Sequence, residues 1–451
     1  MPGLTIEDAR RFARTSAPDH DALMNAWNDA SANAALRALY AAAVRAADPL
    51  AVLGAHLPEP PVKGRVIVVG VGKAAAKMAL AVEQSWPHVP LAGLVIAPHG
   101  AGLPLERIAL RFGCHPVPCA EGAAAATEML GLLQGLTPDD LVLALISGGG
   151  SALATLPAEG LSLDDLIATN QALLESGAAI GAMNCIRKHL SALSGGRLAV
   201  AAYPARVVTL AISDVPGDDP EVIASGPTVA DPTTFGEARA LVAHHALALP
   251  PAVLAHLHAA VQESPKPGDP RLANGEFHMI AAPMMALHAM AEAAREFGLT
   301  PLILGDALEG EARHVGTVLA GMARSVAIHG LPLPAPCVLL SGGETTVTMP
   351  PGTQGSGGRN TECLLSLALT LNGAPGIWAL CADTDGIDGK SDAAGAIAGP
   401  GSLAAARAAG MDPRAALGAH RSLAVFTASG GLVVSGPTLT NVNDVRAILI
   451  T

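Results

Sequence analysis

A repeated order of buried strand, glycine-rich turn and helix constrains the fold of this chain more than any other feature. The apolar run at 65–70 leads into GVGKAAAK (70–77), and the run at 141–147 leads into SGGGSAL (147–153). Continuous apolar runs of this length are typical of strands that are buried on both faces of a parallel sheet. The order therefore predicts a doubly wound α/β sheet, with ligand-binding loops at the carboxyl ends of its strands.

The chain of 451 residues is too long for one ordinary hydrophobic core, so we expect two α/β domains. Helical spacing of Ala and Leu predicts helices over about 6–55, before the first strand. A segment rich in Pro, Ala and His at about 227–274 marks the domain boundary. We predict an N-terminal α/β domain over 1–235 and a C-terminal α/β domain over 236–451, each with a mostly parallel sheet flanked by helices. The sequence indicates strands at these positions: 92–98, 206–214, 277–282, 301–306, 336–344, 377–385, 423–436 and 446–450.

Charge and cysteine content exclude some classes of protein. The net charge of −12 argues against general nucleic-acid binding, which requires a basic face. The six cysteines show neither a CxxC pair nor zinc-ligand spacing, and the N-terminus lacks the apolar core of a secretory signal, so we expect reduced thiols in a cytoplasmic protein. No apolar run reaches the ~18 residues of a membrane helix, so we expect no membrane partner.

The turn after the first strand places Lys73 where its ammonium group could meet a carboxylate or a phosphate. Gly70 and Gly72 also satisfy the GxGxxA form of the dinucleotide fingerprint. That fingerprint needs an acidic residue after the second strand, which here ends in Ala-Pro-His-Gly at 97–100. A tight turn with a solvent-facing lysine is an equally good interpretation of the motif.

Two further segments could bind anions or substrate hydroxyls. The SGGGS turn offers Ser147, Gly148, Gly149, Gly150 and Ser151 as an anion nest, although a plain strand-to-helix turn has the same composition. It lacks the GxSxG order of a nucleophile elbow. The rigid CHPVPC segment (114–119) holds His115, either as a substrate ligand or as a structural residue.

Acidic residues follow several predicted strands and suit a magnesium-dependent reaction. Asp214 and Glu344 stand at strand ends, where a general base or a metal ligand is well placed. Asp383, Asp385 and Asp388 crowd one loop, which Asp392 follows, and the spacing does not match an EF-hand. Clustered carboxylates repel one another unless a cation compensates, and either Mg²⁺ or Arg359 would do so.

The GSGGRNTE segment (355–362) places Arg359 at the start of a predicted helix, after a glycine-rich loop. This combination suits an anion whose charge must be held during bond making or breaking.

Eight motifs, taken in order, resemble the class II glycerate 2-kinases, the family with a MOFRL-type carboxyl-terminal domain. The motifs are VVGVGKAAAKMA, SGGGSAL, RKHLSALSGGRLA, ISDVPGDDPEVIASGPT, SGGETTVT, GSGGRNTE, ADTDGIDG and GPTLTNVNDV, and the likeness runs from about residue 65 to the end. The resemblance implies ATP- and Mg²⁺-dependent phosphorylation of D-glycerate at its 2-hydroxyl. It also implies a Rossmann-like N-terminal domain and an active site in the cleft between the domains. Some members carry the name hydroxypyruvate reductase, so that name is expected here too.

Carried over by motif, Lys73 and Arg359 resemble the cationic catalytic positions of the family. Asp214, Glu344 and Asp385 resemble the acidic ones, and we assign Asp214 to catalysis and Glu344, Asp385 and Asp383 to the metal. The resemblance also implies that the SGGGS turn and the GGRN segment, with Gly357, Gly358 and Asn360, face a ligand. The chain departs from the family pattern at Cys119, Ser194 and Pro283, where members commonly carry Asp, Lys and Asn.

Two other functions remain open. An NAD(P)H-dependent hydroxypyruvate reductase is favoured by GxGxxA and opposed by the missing acidic partner. A non-catalytic sensor of phosphorylated sugars would bind through the glycine turns but has no use for the acidic loop. The partners we expect are D-glycerate and a nucleotide, and a homodimer is left open.

Overall fold

The computed structural model describes residues 27–350 and 352–451, so the part of the predicted helical region before residue 27, and the predicted lack of a signal core, lie outside the described residues. The strands, in chain order from β1 to β14, are Val66–Val71, Leu91–Pro98, Ile108–Gly113, Leu141–Ser147, Arg206–Ile212, Gly275–Ala281, Thr300–Gly305, Gly310–Glu311, Cys337–Gly343, Thr345–Thr346, Ile377–Asp383, Gly395–Ala398, Leu432–Val433 and Asp444–Ile450.

The helices surround these strands and begin as the sequence leads one to expect. From α1 to α16 they are Asp29–Ala46, Pro49–Val52, Ala75–Ser85, Ala120–Gly131, Gly150–Leu153, Leu163–Glu175, Ile180–His189, Arg197–Ala202, Phe235–His244, Pro251–Ala259, Pro283–Glu296, Ala312–His329, Arg359–Leu371, Ser402–Ala408, Pro413–Gly418 and Ser422–Ser429. Short 3₁₀ turns cover Leu53–His56, Ile223–Ser225 and Pro270–Leu272. The side chain of Ser162, for example, caps α6 in a reciprocal pair with Asp165.

The first sheet confirms the predicted doubly wound architecture. Its six strands lie in the order β3-β2-β1-β4-β5-β6, and every neighbouring pair is parallel. The inner strands β1 and β4 are buried along their whole length, which explains their unbroken apolar sequences. Because the strand order reverses between β1 and β4, the loops that follow these two strands flank the point where such sheets bind ligands.

The second sheet is mixed, whereas the sequence led us to expect mostly parallel strands. Its order is β13-β12-β11-β14-β9-β7, and only β7 and β9 run parallel. The C-terminal strand β14 enters between β9 and β11 and runs antiparallel to both. An apolar run predicts a buried strand but not its direction, so the two-sheet α/β class is confirmed and the strand direction is corrected.

The chain divides into two compact units at a different place from the predicted boundary at 235/236. One unit comprises Pro49–Ala281 with Leu439–Asn441, and the other comprises the described residues up to Asp48, Ala282–Thr438 and Val442–Thr451. Residues 236–281 belong to the first unit because β6 extends its sheet beside β5 and Phe235 packs with Val253. The turn-rich segment is thus an excursion within one unit.

Two other details differ from the sequence prediction. The edge strand β3 was not predicted, and its less apolar sequence reflects its position at the edge of the sheet. Residues 423–436 form mainly helix α16 rather than a strand, and only β13 is extended.

Within the described ranges no single helix is long and apolar enough to cross a membrane. The helix α1 and the segment Pro49–His56 reach the required length and apolar composition only when they are taken together, as a bent pair.

Candidate functional site

The turns that follow β1 and β4 form the first candidate site. Lys73 lies in the turn between β1 and α3, and its backbone amide donates a hydrogen bond to the Gly148 carbonyl at 2.9 Å. These two strands are the neighbours between which the strand order reverses. The fold therefore brings the GVGKAAAK and SGGGSAL turns together at the expected ligand position of the sheet.

Gly148 and Gly149 allow three polar side chains to approach one loop. A Cβ atom on Gly148 would lie 1.7 Å from Oδ2 of Asp214. A Cβ atom on Gly149, whose φ is +80°, would lie 3.1 Å from Cδ2 of His115 and 3.5 Å from Cγ of Lys73. The glycines thus allow a carboxylate, an imidazole and a lysine to meet at this loop.

Asn441 belongs to the same site, and the sequence analysis did not single it out. Its Nδ2 donates a hydrogen bond to Oδ2 of Asp214 at 2.9 Å. The side chain is buried, so this contact fixes the plane of the carboxylate from the protein side. The two residues are 227 positions apart in sequence, and the only available signal was the polar GPTLTNVNDV motif.

The backbone amides of the β1 turn are engaged inside the protein. The amide of Gly72 donates to the Ile96 carbonyl at 3.1 Å, and the amide of Ala74 donates to Oγ of Ser147 at 3.1 Å. A pyrophosphate bound at a helix start would need amides of this kind. Positive charge at this turn therefore comes from the Lys73 side chain.

The other predicted cofactor ligands of this unit have varied positions. Gly70 lies within β1, where a Cβ atom would be 2.8 Å from the Leu145 carbonyl oxygen. Gly150 begins the short helix α5, and Oγ of Ser151 lies 2.8 Å from Oγ of Ser225. Their assignment to a nucleotide stays a prediction.

Cys114 and Cys119 form a disulfide, which corrects the expectation that all six cysteines are reduced. The segment between them folds back so that their Cα atoms are 5.5 Å apart, within the range that a disulfide spans. This loop carries His115 to the site. The other cysteines (185, 337, 363 and 381) are free and buried. The cysteines therefore no longer support the expected cytoplasmic location, which stays a prediction.

The second candidate site surrounds Arg359, the first residue of α13, in the other unit. Its Nη1 donates to Glu344 at 2.5 Å, its Nη2 to Asp383 at 2.9 Å, and its Nε to both oxygens of Asp444 at 3.0 and 2.9 Å. Arg359, one of the two cations expected to compensate the acidic loop, thus pairs with Asp383 of that loop and also with Glu344. Asp444 is a third partner that the sequence analysis missed.

The charge of Arg359 is strongly maintained. Burial alone would lower the pKa of its guanidinium, but the negative charges of Asp444, Asp383 and Glu344 together raise the pKa above its ordinary value. The side chains of Asp444 and Asp383 are 0% and 6% exposed, whereas that of Glu344 is 48% exposed. Glu344 is therefore the partner that solvent or an anionic ligand reaches most easily.

The start of α13 is occupied by a carboxylate of the protein itself. Asp388 accepts hydrogen bonds from the amides of Asn360 and Thr361, both at 2.9 Å, and from the Thr361 hydroxyl. Burial raises the pKa of Asp388 despite these donors. A Cβ atom on Gly358 would lie 2.2 Å from Oδ1 of Asp388, so this glycine makes room for the capping carboxylate.

The side chain of Asn360 also points into the protein. It is buried, and its Nδ2 donates to Oδ1 of Asp444 at 2.7 Å. Gly357 has φ +115°, and a Cβ atom there would lie 2.6 Å from Oγ of Ser422. In this structure the contacts of Gly357, Gly358 and Asn360 are with the protein, and their predicted ligand role is untested.

The predicted metal ligands Glu344, Asp383 and Asp385 supply the hard oxygen donors that Mg²⁺ prefers, so their chemistry fits the ion. Asp383 accepts from the amide of Asp385 at 2.9 Å, which places these two side by side. Across residues 27–350 and 352–451, no group of three or more His, Cys, Asp or Glu side chains converges as a metal site does. The guanidinium of Arg359 joins Glu344 to Asp383 instead, and the metal assignment stays a prediction.

The basic cluster at 187–197 makes contacts within its own unit. Arg187 donates to Asn170 at 2.7 Å, and the ammonium of Lys188 is 3.4 Å from Asp231. His189 is 2.8 Å from Glu263. Because Asp231 is fully buried, the Lys188 contact indicates that this part of the cluster stabilises its own unit.

Comparison with known proteins agrees with the fold. Two sequence families match this chain: the domain of unknown function DUF4147, over residues 35–258, and the MOFRL family, over residues 337–444. A protein of Agrobacterium vitis named "Putative hydroxypyruvate reductase" is 56% identical over 424 residues, which cover 94% of this chain and 96% of that protein. The expected reductase name is thus found among its relatives.

Proteins named as kinases match over nearly the same length. Glycerate 2-kinase from Pyrococcus horikoshii is 39% identical over 396 residues, covering 86% of this chain and 88% of that protein. The crystal structure of glycerate kinase from Thermotoga maritima matches with a TM-score of 0.85 and 36% identity, covering 94% of this chain and all of the other. The chain therefore belongs to the MOFRL-type glycerate 2-kinase family.

Proposed function

We propose that this protein transfers the γ-phosphoryl group of ATP to the 2-hydroxyl of D-glycerate, with Mg²⁺ as cofactor. The observation that carries the proposal is its likeness, over most of both chains, to a protein named glycerate 2-kinase. The two candidate sites supply the chemistry that such a reaction needs, because phosphoryl transfer depends mainly on positioning and charge neutralisation.

Asp214 is the proposed acceptor of the proton from the glycerate hydroxyl. A carboxylate at a strand end, oriented by the amide of Asn441, is suited to this role. Lys73, against the same loop, provides a cation for an anionic oxygen of the substrate. Arg187, whose Nε donates to Asn170 at 2.7 Å, is an alternative cation for the glycerate carboxylate.

Arg359 is the proposed cation for the transferring phosphoryl group. Its raised pKa keeps the guanidinium charged at every working pH. The exposed Glu344 is the partner that a phosphoryl oxygen would replace, while the buried Asp383 and Asp444 continue to hold the side chain. Glu344, Asp383 and Asp385 are the residues proposed to hold Mg²⁺, which would supply positive charge to neutralise the phosphate groups.

A reduction of hydroxypyruvate is the second candidate, favoured by the GxGxxA turn and by the name of the Agrobacterium vitis relative. The engaged amides of Gly72 and Ala74 and the missing acidic residue after β2 count against it.

The test uses purified protein with D-glycerate, ATP and Mg²⁺, with ADP release as the readout. Enolase, added without a mutase, converts 2-phosphoglycerate but not 3-phosphoglycerate, so coupled enolase activity identifies the hydroxyl that is phosphorylated. A parallel assay follows NADH oxidation with hydroxypyruvate. ADP release with immediate enolase turnover supports the proposal, whereas NADH oxidation without ADP release refutes it.

A further inference from the structure

Asp444 and Arg446 form a buried ion pair directly behind Arg359. Asp444 is 0% exposed and Arg446 is 1% exposed, and Nη2 of Arg446 lies 3.3 Å from Oδ2 of Asp444. A buried ion pair is costly to desolvate, and its contribution to stability is small compared with apolar packing. Stability alone therefore does not explain why this ion pair lies next to Arg359, for which we propose a functional role.

Asp444 determines the orientation of Arg359 through the Nε atom. Both of its carboxylate oxygens accept from Nε, and Oδ1 also accepts from Nδ2 of Asn360, the next residue of the helix. This contact engages the edge of the guanidinium that lies nearest its own backbone. The Nη1 and Nη2 groups are then directed toward Glu344 and Asp383.

Arg446 connects this contact to the strand that precedes Glu344. Its Nη1 donates to the Gly342 carbonyl at 3.1 Å and its Nη2 to the Gly343 carbonyl at 3.2 Å. One side chain thus holds Asp444, which orients Arg359, and also the backbone that ends in Glu344, the most exposed partner of Arg359. Lysine could not make these contacts together, because they need the fixed fork of a guanidinium.

We propose that Asp444 and Arg446 are positioning residues for phosphoryl transfer, acting through Nε of Arg359. The inference rests on the proposed function and adds two residues to it. Neither residue contacts the reacting atoms in this role, and their effect on turnover passes through Arg359.

The test is a double-mutant cycle between Asp444→Asn and Arg359→Lys. Lysine keeps a positive charge but has no Nε–H in the guanidinium geometry, so it removes the atom through which Asp444 acts. We expect Asp444→Asn to lower kcat by about 30- to 100-fold in the wild-type background and by less than about 3-fold in Arg359→Lys. The KM for ATP should change little in both backgrounds. A purely structural role predicts equal losses in both, and that result would overturn the proposal.

A second variant and a control variant distinguish a loss of positioning from misfolding. Arg446→Lys should lower kcat by about 3- to 10-fold when Arg359 is present, but not in the Arg359→Lys background. If Asp444→Asn does not fold, Arg446→Lys takes its place in the double-mutant cycle. Glu292→Gln removes an exposed carboxylate that pairs with Arg295 in the same unit and should leave kcat unchanged in both backgrounds.

A chemical readout separates failure of this inference from failure of the proposed function. Phenylglyoxal modification of Arg359, followed by peptide mass spectrometry, measures the accessibility of its guanidinium without any turnover. Faster modification in Asp444→Asn than in Glu292→Gln supports positioning even if glycerate is not phosphorylated. If the wild type is an active kinase but neither kcat nor the modification rate responds to Asp444→Asn, the positioning role is refuted and the proposed function stands.

Discussion

Substitution of Gly148 by alanine tests the candidate site around Asp214 without replacing any proposed catalytic side chain. An alanine Cβ would lie 1.7 Å from Oδ2 and 2.2 Å from Cγ of Asp214, whereas ordinary contact begins at 3.4 Å. The carboxylate must therefore move by at least about 1.7 Å, which would also break its hydrogen bond with Asn441. Gly148 does not have a positive φ, so alanine itself is not strained at this position.

The size of the effect follows from this displacement. A misplacement of about 1 Å in a positioning group can cost about 100-fold in rate. We expect kcat for glycerate phosphorylation to fall by at least about 100-fold in Gly148→Ala. Overpacking costs about 1–3 kcal/mol in general, and here it falls on a side-chain end that can rotate, so Tm should drop by less than about 5 °C.

The assay is the enolase-coupled measurement of 2-phosphoglycerate, accompanied by thermal unfolding. Gly181→Ala is the matched control, because a Cβ atom there meets nothing within 4 Å. It lies in helix α7 and should keep full activity with equal or slightly higher Tm. Near-wild-type turnover in a folded Gly148→Ala protein would show that the position of Asp214 is not important for the reaction.

Three further predictions address other parts of the chain. Lys73→Ala should reduce kcat by about 1,000-fold with little change in Tm, because it removes the cation beside Asp214 but leaves the backbone bonds of the turn intact; turnover close to wild type would exclude that assignment. Hydrogen bonds from Arg65 hold the pKa of Asp140 well below its ordinary value. The ionised carboxylate therefore stabilises the folded protein at pH values above the unfolded pKa of about 3.9, and this stabilisation is lost as the pH falls below that value. Asp140→Asn should therefore lower the free energy of unfolding at neutral pH by about 2 kcal/mol, and should lose less stability than wild type on acidification, as urea unfolding at several pH values would show. Titration of thiols in denatured, unreduced protein should report four groups and six after reduction; six in both samples would contradict the disulfide between Cys114 and Cys119.

The features that the sequence predicted well are local ones. The strands at 65–70 and 141–147 and the turns after them were predicted because apolar runs and glycines are read over a few neighbouring residues. The place of Arg359 at a helix start was also predicted, and its pairing with Asp383 is one of the two alternatives that the sequence left open for the acidic loop. Features that depend on how distant segments meet, such as the direction of β14 and the allocation of β6 to the first sheet, have no local signal.

The site residues that were not predicted from the sequence also depend on contacts between distant segments. Asn441 reaches Asp214 across 227 positions, and Asp444 reaches Arg359 across 85. Both come from one polar segment near the C-terminus, whose residues contribute to each of the two candidate sites. Composition alone describes that segment as a loop, and only the fold shows that its side chains orient the proposed base and the proposed cation.

The glycine motifs show what such a pattern can and cannot reveal. The sequence predicted close approach of a ligand to SGGG and to GSGG, and close approach is indeed what both glycines allow. At Gly148 the approaching group is the carboxylate of Asp214, and at Gly358 it is the carboxylate of Asp388. A glycine-rich turn therefore indicates that some group lies close to the backbone, but that group can belong to the protein itself. Because both neighbours here are carboxylates, which repel a phosphate, the proposed binding of phosphate near these loops would rely on Lys73 in one unit and on Arg359 in the other.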